Sequence, residues 1–410
     1  MVTIPKRWHK CIVADVAEVS RGASPRPIEN YLTSNVSGVN WIKIGDAPRN
    51  GNRIRRTAER ITPEGALRSV IVRAGDFILS NSMSFGRPYV VDIDGCIHDG
   101  WLKLSKFTRS ADPEFLVYLL SSRAITSQYE SLAAGSGVKN LNKEVVSKVA
   151  LVLPQLAEQR AIAEVLSGFD EHLANLDELI AKKKAIRDGA LEELITGRTR
   201  IADYKDPWVT RSARELLSDV ITGGTPSTAI DEYWNGSIPW LSSTEIYQRM
   251  VSRPTRSISE KGLENSSAQI APAGSVLIAL AGQGKTRGTS AFLTRDMALN
   301  QSLAGLVANE TELHREYLLY MLIHRYEELR GLSSGDGGRG GLNKTLLWNL
   351  WFTLPSNLQE QCAIAEVLLG MDEEIRLLEE ERAKVERLKS GAMDDLLTGR
   401  VRLPIEEEVA

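Results

Sequence analysis

Two stretches of the chain repeat apolar residues at alternating three- and four-residue spacing, and both read as long amphipathic helices. In the first, Ile162, Leu166, Phe169, Leu173, Leu176, Ile180 and Leu194 fall on one narrow stripe. In the second, Ile364, Leu368, Met371, Ile375, Leu378, Val385 and Leu396 keep the same register. A stripe this narrow is a coiled-coil seam. Ser356 and Gln359 fit a capping box at the start of the second helix, and Gly197 and Gly399 fit the left-handed position that stops each helix. Each helix is predicted to run about 40 residues, or roughly 60 Å. One such helix cannot bury its own seam, so the two are expected to pair with each other, antiparallel.

Between and before these helices the period changes to two. Strand-like runs occur at "WIKIGD" from Trp41 and "WLSSTE" from Trp240, and again at "RAGDFILS" and "PAGSVLIA", with Gly75 and Gly274 at matching turns. A short helical pattern follows in each part, "EFLVYLLSS" and "REYLLYMLIH". Each part ends in a glycine-rich loop closing on Leu-Asn-Lys, at Leu141–Lys143 and Leu342–Lys344. The chain therefore repeats itself: globule, long helix, globule, long helix. The helical copies align without a gap from Gln159/Gln361 to Arg200/Arg402, sharing Ala-Ile-Ala-Glu-Val-Leu and a terminal Thr-Gly-Arg. The predicted class is α+β, with globular domains at 1–152 and 201–353. Helices at 153–200 and 354–410 separate them, the last carrying an acidic tail at Glu406–Glu408. The halves share a plan and differ in most surface residues. Antiparallel helices would relate them by a pseudo-two-fold axis, which suits two unlike half-sites on a duplex.

This organisation resembles the specificity (S) subunit of Type I restriction–modification systems. The resemblance rests on the paired "LPxxxEQ…AIAEVL" helices and their "LxTGR" ends, and it covers essentially the whole chain. It implies two target-recognition domains, each reading one half of a bipartite, asymmetric site on double-stranded DNA. It implies helices that set the spacing and dock two methyltransferase (M) subunits, with restriction (R) subunits as further members. It implies no catalytic centre and no cofactor on this chain; S-adenosylmethionine would sit on the methyltransferase. The tandem four-residue repeats that lengthen the spacer in some members are absent.

Charge modifies this picture. The formal net charge of the 410 residues is −3. The average hides a basic first globule and an acidic second helix with its tail, while the second globule is close to neutral. The first suits phosphate contact; the second globule would have to bind DNA through local Lys and Arg placement, or depend on the methyltransferase for most of its phosphate contacts. Cys11, Cys96 and Cys362 have neither metal nor disulfide spacing. No signal peptide or membrane span is read, so a cytoplasmic protein is expected.

The candidate DNA-binding residues fall in three places. The basic run "RNGNRIRRTAER" holds Arg49, Arg53, Arg55 and Arg56, read either as a DNA-backbone contact or as a solvated loop. A strand–loop–strand finger, with a plain surface turn as the rival reading, offers Ser80, Asn81, Ser84 and Arg87 in the first domain and Gln283, Lys285, Thr286 and Arg287 in the second. The glycine-rich loops offer Lys139, Lys143, Arg339 and Lys344; here phosphate contact competes with a plain linker in which Asn142 and Asn343 act as caps. Gly284-Lys285-Thr286 looks like part of a P-loop, but the pattern needs a glycine where Ala279 stands and a helix where a strand is read. The tryptophans read as core, with base stacking as the rival. No methyltransferase, nuclease or metal motif is found, so a non-enzyme is expected. The competing reading is a two-headed coiled-coil adaptor that binds proteins and not DNA.

Overall fold

The computed structural model describes residues 5–48, 51–81, 86–134, 141–201, 204–247, 249–282, 286–332 and 341–404. The long helices run Leu156–Ile195 and Leu358–Leu396. They start slightly later than the sequence pattern indicates, because the leucines that open each repeat belong to strands. Ala150–Leu153 pairs antiparallel with His9–Ile12, and Trp351–Pro355 with Trp208–Ser212. Ser356 extends the second ladder by donating its N–H to the Pro207 carbonyl at 3.2 Å. It is therefore not the cap. Asn357 is, its Oδ1 accepting the Gln359 N–H at 2.9 Å.

Both helices stop at a left-handed glycine, Gly197 with φ 69° and Gly399 with φ 70°. Each glycine also lies against a tryptophan. A Cβ at Gly197 would sit 2.9 Å from the Trp208 ring, and one at Gly399 3.2 Å from the Trp8 ring.

The chain packs as two units, Met1–Asp177 with Glu380–Ala410 and Glu178–Glu379. Each long helix thus gives one half to each unit. In the first unit the halves run antiparallel, with Lys389 to Asp170 and Arg382 to Asp177 both at 2.5 Å. In the second, Lys183 to Glu374 at 2.6 Å and Arg187 to Asp372 at 2.8 Å mark the same direction. Of the seam, Ile162, Leu166, Leu176, Ile180, Ile364, Leu368 and Ile375 are buried, while Phe169, Leu173, Met371 and Leu378 are half-buried. The seam has two partners. Ile162 and Leu166 join Leu396 and Leu397 in a core shared with the globular part of the first unit. Ile364 and Leu368 do the same with Leu191, Leu194 and Ile195 in the second.

Each globular part is built on two mixed sheets. In the first unit the orders are Leu32–Thr33, Glu59–Ile61, Val39–Ile42, Gly95–Ile97, Val70–Val72 and Glu18–Arg21, Trp101–Ser105, Phe77–Ser80, Pro88–Val91, Arg53–Ile54. In the second they are Arg256–Ile258, Trp234–Leu241, Met297–Leu299, Gln269–Ala271 and Leu217–Thr222, Leu303–Ala308, Val276–Ala279, Ser290–Leu293, Met250–Val251. The parallel pairs coincide. Arg53–Ile54 lies parallel to Pro88–Val91, as Met250–Val251 lies parallel to Ser290–Leu293. The helices Pro113–Ser121 and Arg315–His324 cover equivalent sheets. Gly75 and Gly274 occupy equivalent tight turns with φ 92° and 89°.

Candidate nucleic-acid interface

The short motifs that repeat along the chain join elements within each unit. Gln159 is fully buried; its Oε1 accepts the Asp112 N–H at 2.9 Å while its amide donates to Ser110 and Pro154 carbonyls. Gln361 repeats this with His314, Glu312 and Pro355. The preceding glutamates are equally buried. Glu158 accepts from Arg402 at 2.7 Å, and Glu360 from Arg200 at 2.7 Å. Tyr118 donates its hydroxyl to Asp170, and Tyr320 to Asp372, both at 2.8 Å. Burial and the adjacent carboxylate push both phenols far above the usual range, so they remain neutral donors.

The candidate DNA contacts separate by burial. Arg49, Ser84, Lys139, Gln283, Lys285 and Arg339, and the tail Glu406–Glu408, lie outside the described residues. Ser80 and Asn81 are buried and engaged internally. The Ser80 hydroxyl accepts the Arg87 N–H at 3.1 Å, and the Asn81 amide donates to the Asp99 carbonyl at 2.8 Å. These contacts tie both side chains into the fold at the base of the loop. Arg53 is bridged to Asp92 at 2.8 Å and Glu114 at 2.6 Å, a brace and not a free cation. Arg55 is exposed and touches Asp92 at 3.2 Å; Arg56 is exposed with no partner among the described residues. Arg87 stacks over Tyr89 and donates to the Gly51 carbonyl. Thr286 and Arg287 are half-buried. They lie in the connection between Val276–Ala279 and Ser290–Leu293, two strands that pair antiparallel, and among the described residues no helix starts there to present its N-terminus to a phosphate.

Leu-Asn-Lys resolves into two roles. Asn142 and Asn343 cap short helices by accepting the Val145 and Leu346 N–H groups at 2.8 and 2.9 Å. The lysines that follow, Lys143 and Lys344, are exposed. Trp41 and Trp240 are buried core residues. Among the described residues, no group of His, Cys, Asp and Glu could hold a metal ion, and no helix is long and apolar enough to cross a membrane.

The structure also brings out a counterpart that the sequence reading passed over. The basic run of the first domain occupies the arm between Ile44–Asp46 and Glu59–Ile61. The equivalent arm of the second runs from Ser243–Glu245 to Arg256–Ile258. Both arms are held alike: Asp46 accepts the Ala58 N–H at 2.8 Å, and Glu245 the Thr255 N–H at 2.7 Å. On this frame Arg56 matches Arg253, and both are exposed. The second arm is pinned to a long helix through Arg249, whose guanidinium lies 3.1 Å from Asp372. Its arginines are spread over "RMVSRPTR", which gave no dense cluster to notice. Aligning the halves from their terminal strands inward would have exposed them.

The family described as Type I restriction modification DNA specificity domain matches at residues 5–184 and again at 205–387. The chain belongs to this family. Among its relatives, the Type I restriction enzyme MjaVIII specificity subunit of Methanocaldococcus jannaschii is 23% identical over 98% of this chain and 94% of its own length. The EcoR124I/EcoR124II specificity subunit of Escherichia coli is 27% identical over 53% of this chain and 52% of its own. The fold is that of the crystal structure of the Type-I restriction-modification system S subunit from M. genitalium, with a TM-score of 0.61, 14% identity and coverage of 95% and 96%. The two specificity domains thus correspond to the two repeats, and the matched arms are surface features of each.

Proposed function

We propose that this chain is the DNA-reading specificity subunit of a type I restriction–modification complex, with each specificity domain reading one half of a bipartite, asymmetric site. The observation that carries the proposal is the pair of arms whose described parts are residues 51–60 and 249–257. They sit on one shared frame, are held by the same acidic-residue contact, and differ in most side chains. A duplicated frame with unlike exposed arms is what reading two unlike sequences requires. The long helices act as a spacer and as the dock for two methyltransferase subunits, with restriction subunits completing the complex. S-adenosylmethionine and the catalytic residues belong to the methyltransferase, and this chain acts without chemistry of its own. Phosphate contact falls to the exposed cations Arg55, Arg56, Lys143, Arg253 and Lys344, which lets the near-neutral second domain bind through local placement.

The test is purification of the tagged chain under native conditions from cells that also express its methyltransferase, followed by subunit mass and mapping of methylated DNA. One chain with two methyltransferases and a two-part methylated motif supports the reading. A complex lacking any methyltransferase, or methylation without a two-part motif, overturns it.

A further inference from the structure

Arg256 opens the edge strand of the four-stranded sheet in the second domain. Its guanidinium lies 3.6 Å from the centre of the Trp234 ring and 5.4 Å from that of Trp240. Both indoles are fixed. Trp234 donates its N–H to the Ser227 carbonyl at 3.1 Å, Trp240 donates to Gly224 at 3.0 Å, and the two rings meet edge to face at 5.2 Å. The stack therefore sets the plane of the guanidinium before any ligand arrives. Stacking uses the face of the group; its N–H donors point outward in the plane. Arg256 is exposed, and no hydrogen bond or ion pair occupies that edge among the described residues.

The first domain supplies the contrast. Glu59 stands where Arg256 stands, at the start of the matching strand, and it pairs with Lys43 at 2.5 Å. Three residues earlier, both domains carry an exposed arginine, Arg56 and Arg253, neither with a partner among the described residues. One position of the arm is common to both domains and the other is opposite in charge. A shared cation suits the phosphate backbone, which is the same at every sequence. A divergent, pre-oriented group suits a base edge.

We propose that Arg256 is a specificity-determining residue of the second domain, recognising the major-groove edge of a guanine through paired hydrogen bonds to O6 and N7. Arg253 neutralises a neighbouring phosphate. The inference rests on the specificity-subunit reading above and adds the residue and the base.

The experiment uses the full complex of this chain with its methyltransferase. Methylation is compared on duplexes in which each base pair of the site is replaced in turn, for wild type, Arg256→Ala, Arg256→Lys and Arg253→Ala. Melting temperatures check that each variant folds. Arg256→Ala is expected to lose roughly 10- to 100-fold discrimination at one G·C pair of one half-site and to keep the rest. Arg256→Lys, which cannot reproduce the planar fork, is expected to lose most of it too. Arg253→Ala is expected to weaken all sequences evenly and to lower the salt slope by about 0.9. Unchanged base preference in Arg256→Ala, or an even loss like that of Arg253→Ala, overturns the assignment while the wild-type motif leaves the specificity reading standing. A wild-type complex without a two-part motif overturns both.

Discussion

Arg402 reaches back to Glu158 across 244 residues of sequence, its Nη2 lying 2.7 Å from a carboxylate that is 1% exposed. Arg200 does the same to Glu360, which is 0% exposed. The arginine just past one helix thus closes on the glutamate that opens the other, once in each unit. This explains why both motifs recur together: each is half of a charge pair whose carboxylate is buried.

Among the described residues, Arg402→Ala leaves the buried Glu158 carboxylate with the Trp8 indole N–H, at 3.2 Å, as its one remaining side-chain donor. Leaving a buried acceptor without its main donor costs about 1–3 kcal/mol, because the arginine side of the pair is open to solvent. The expected result is a drop in thermal stability, partly restored by the second change Glu158→Gln. A melting temperature unmoved by Arg402→Ala would sink this account of the motifs.

Gly197→Ala and Gly399→Ala each combine a left-handed backbone with a Cβ pressed against Trp208 or Trp8. Each is expected to cost about 1–3 kcal/mol, read as a lower melting temperature. Alanine at Gly168 or Gly189, where nothing lies within 4 Å of the added atom, is the control and should be neutral or stabilising.

The two parts of Leu-Asn-Lys should separate in experiment. Asn142→Ala and Asn343→Ala remove helix caps and are expected to cost about 1 kcal/mol of stability each. They should leave the salt dependence of DNA binding by the complex unchanged. Lys143→Ala and Lys344→Ala should do the reverse, lowering the salt slope by about 0.9 per lysine while stability holds.

Exchanging residues 206–351 for the corresponding domain of another family member should change one half of the methylated motif and leave the other half and the spacing as they were. Sequencing of methylated DNA reads this directly. Alteration in both halves would show that the domains do not read independently.

His98 gives an acid sensitivity to the first domain. Burial lowers its pKa below the ordinary value, outweighing the opposing pull of Asp99; Lys43 lowers it further and Asp46 raises it. Its Nε2 also accepts the Ile44 N–H at 3.1 Å, which only the unprotonated nitrogen can do. The unfolded chain therefore binds the proton more readily. The contribution of neutral His98 is complete above the unfolded pKa of about 6.5 and is lost as pH falls through that value toward the lower folded one. Asn300 occupies the equivalent backbone position in the second domain, donating to the Leu241 carbonyl as His98 donates to that of Ile42. His98→Asn should accordingly narrow the fall in melting temperature between about pH 7.5 and 5.5. An equal fall in wild type and variant would remove His98 as the cause.

Local pattern was enough for the α+β class, the two long helices and the internal repeat, because a 3.5-residue seam and a duplicated motif are properties of neighbouring residues. Gly197 and Gly399 were legible for the same reason. What the sequence could not decide depends on residues far apart in the chain. Ser80 and Asn81 look like exposed polar tips until the fold closes over them, and Arg53 looks like a free cation until Asp92 and Glu114 meet it. Leu166 and Leu368 fit a seam between helices, yet they are also core residues of the globular parts. The arm at 249–257 carries no dense charge and is matched to 51–60 by strand pairing. The stacking of Arg256 on Trp234 joins residues with a turn and two strands between them, a contact that periodicity cannot encode. Sequence determined the elements and their repetition; tertiary packing decided which polar groups are engaged within the fold and which stay exposed.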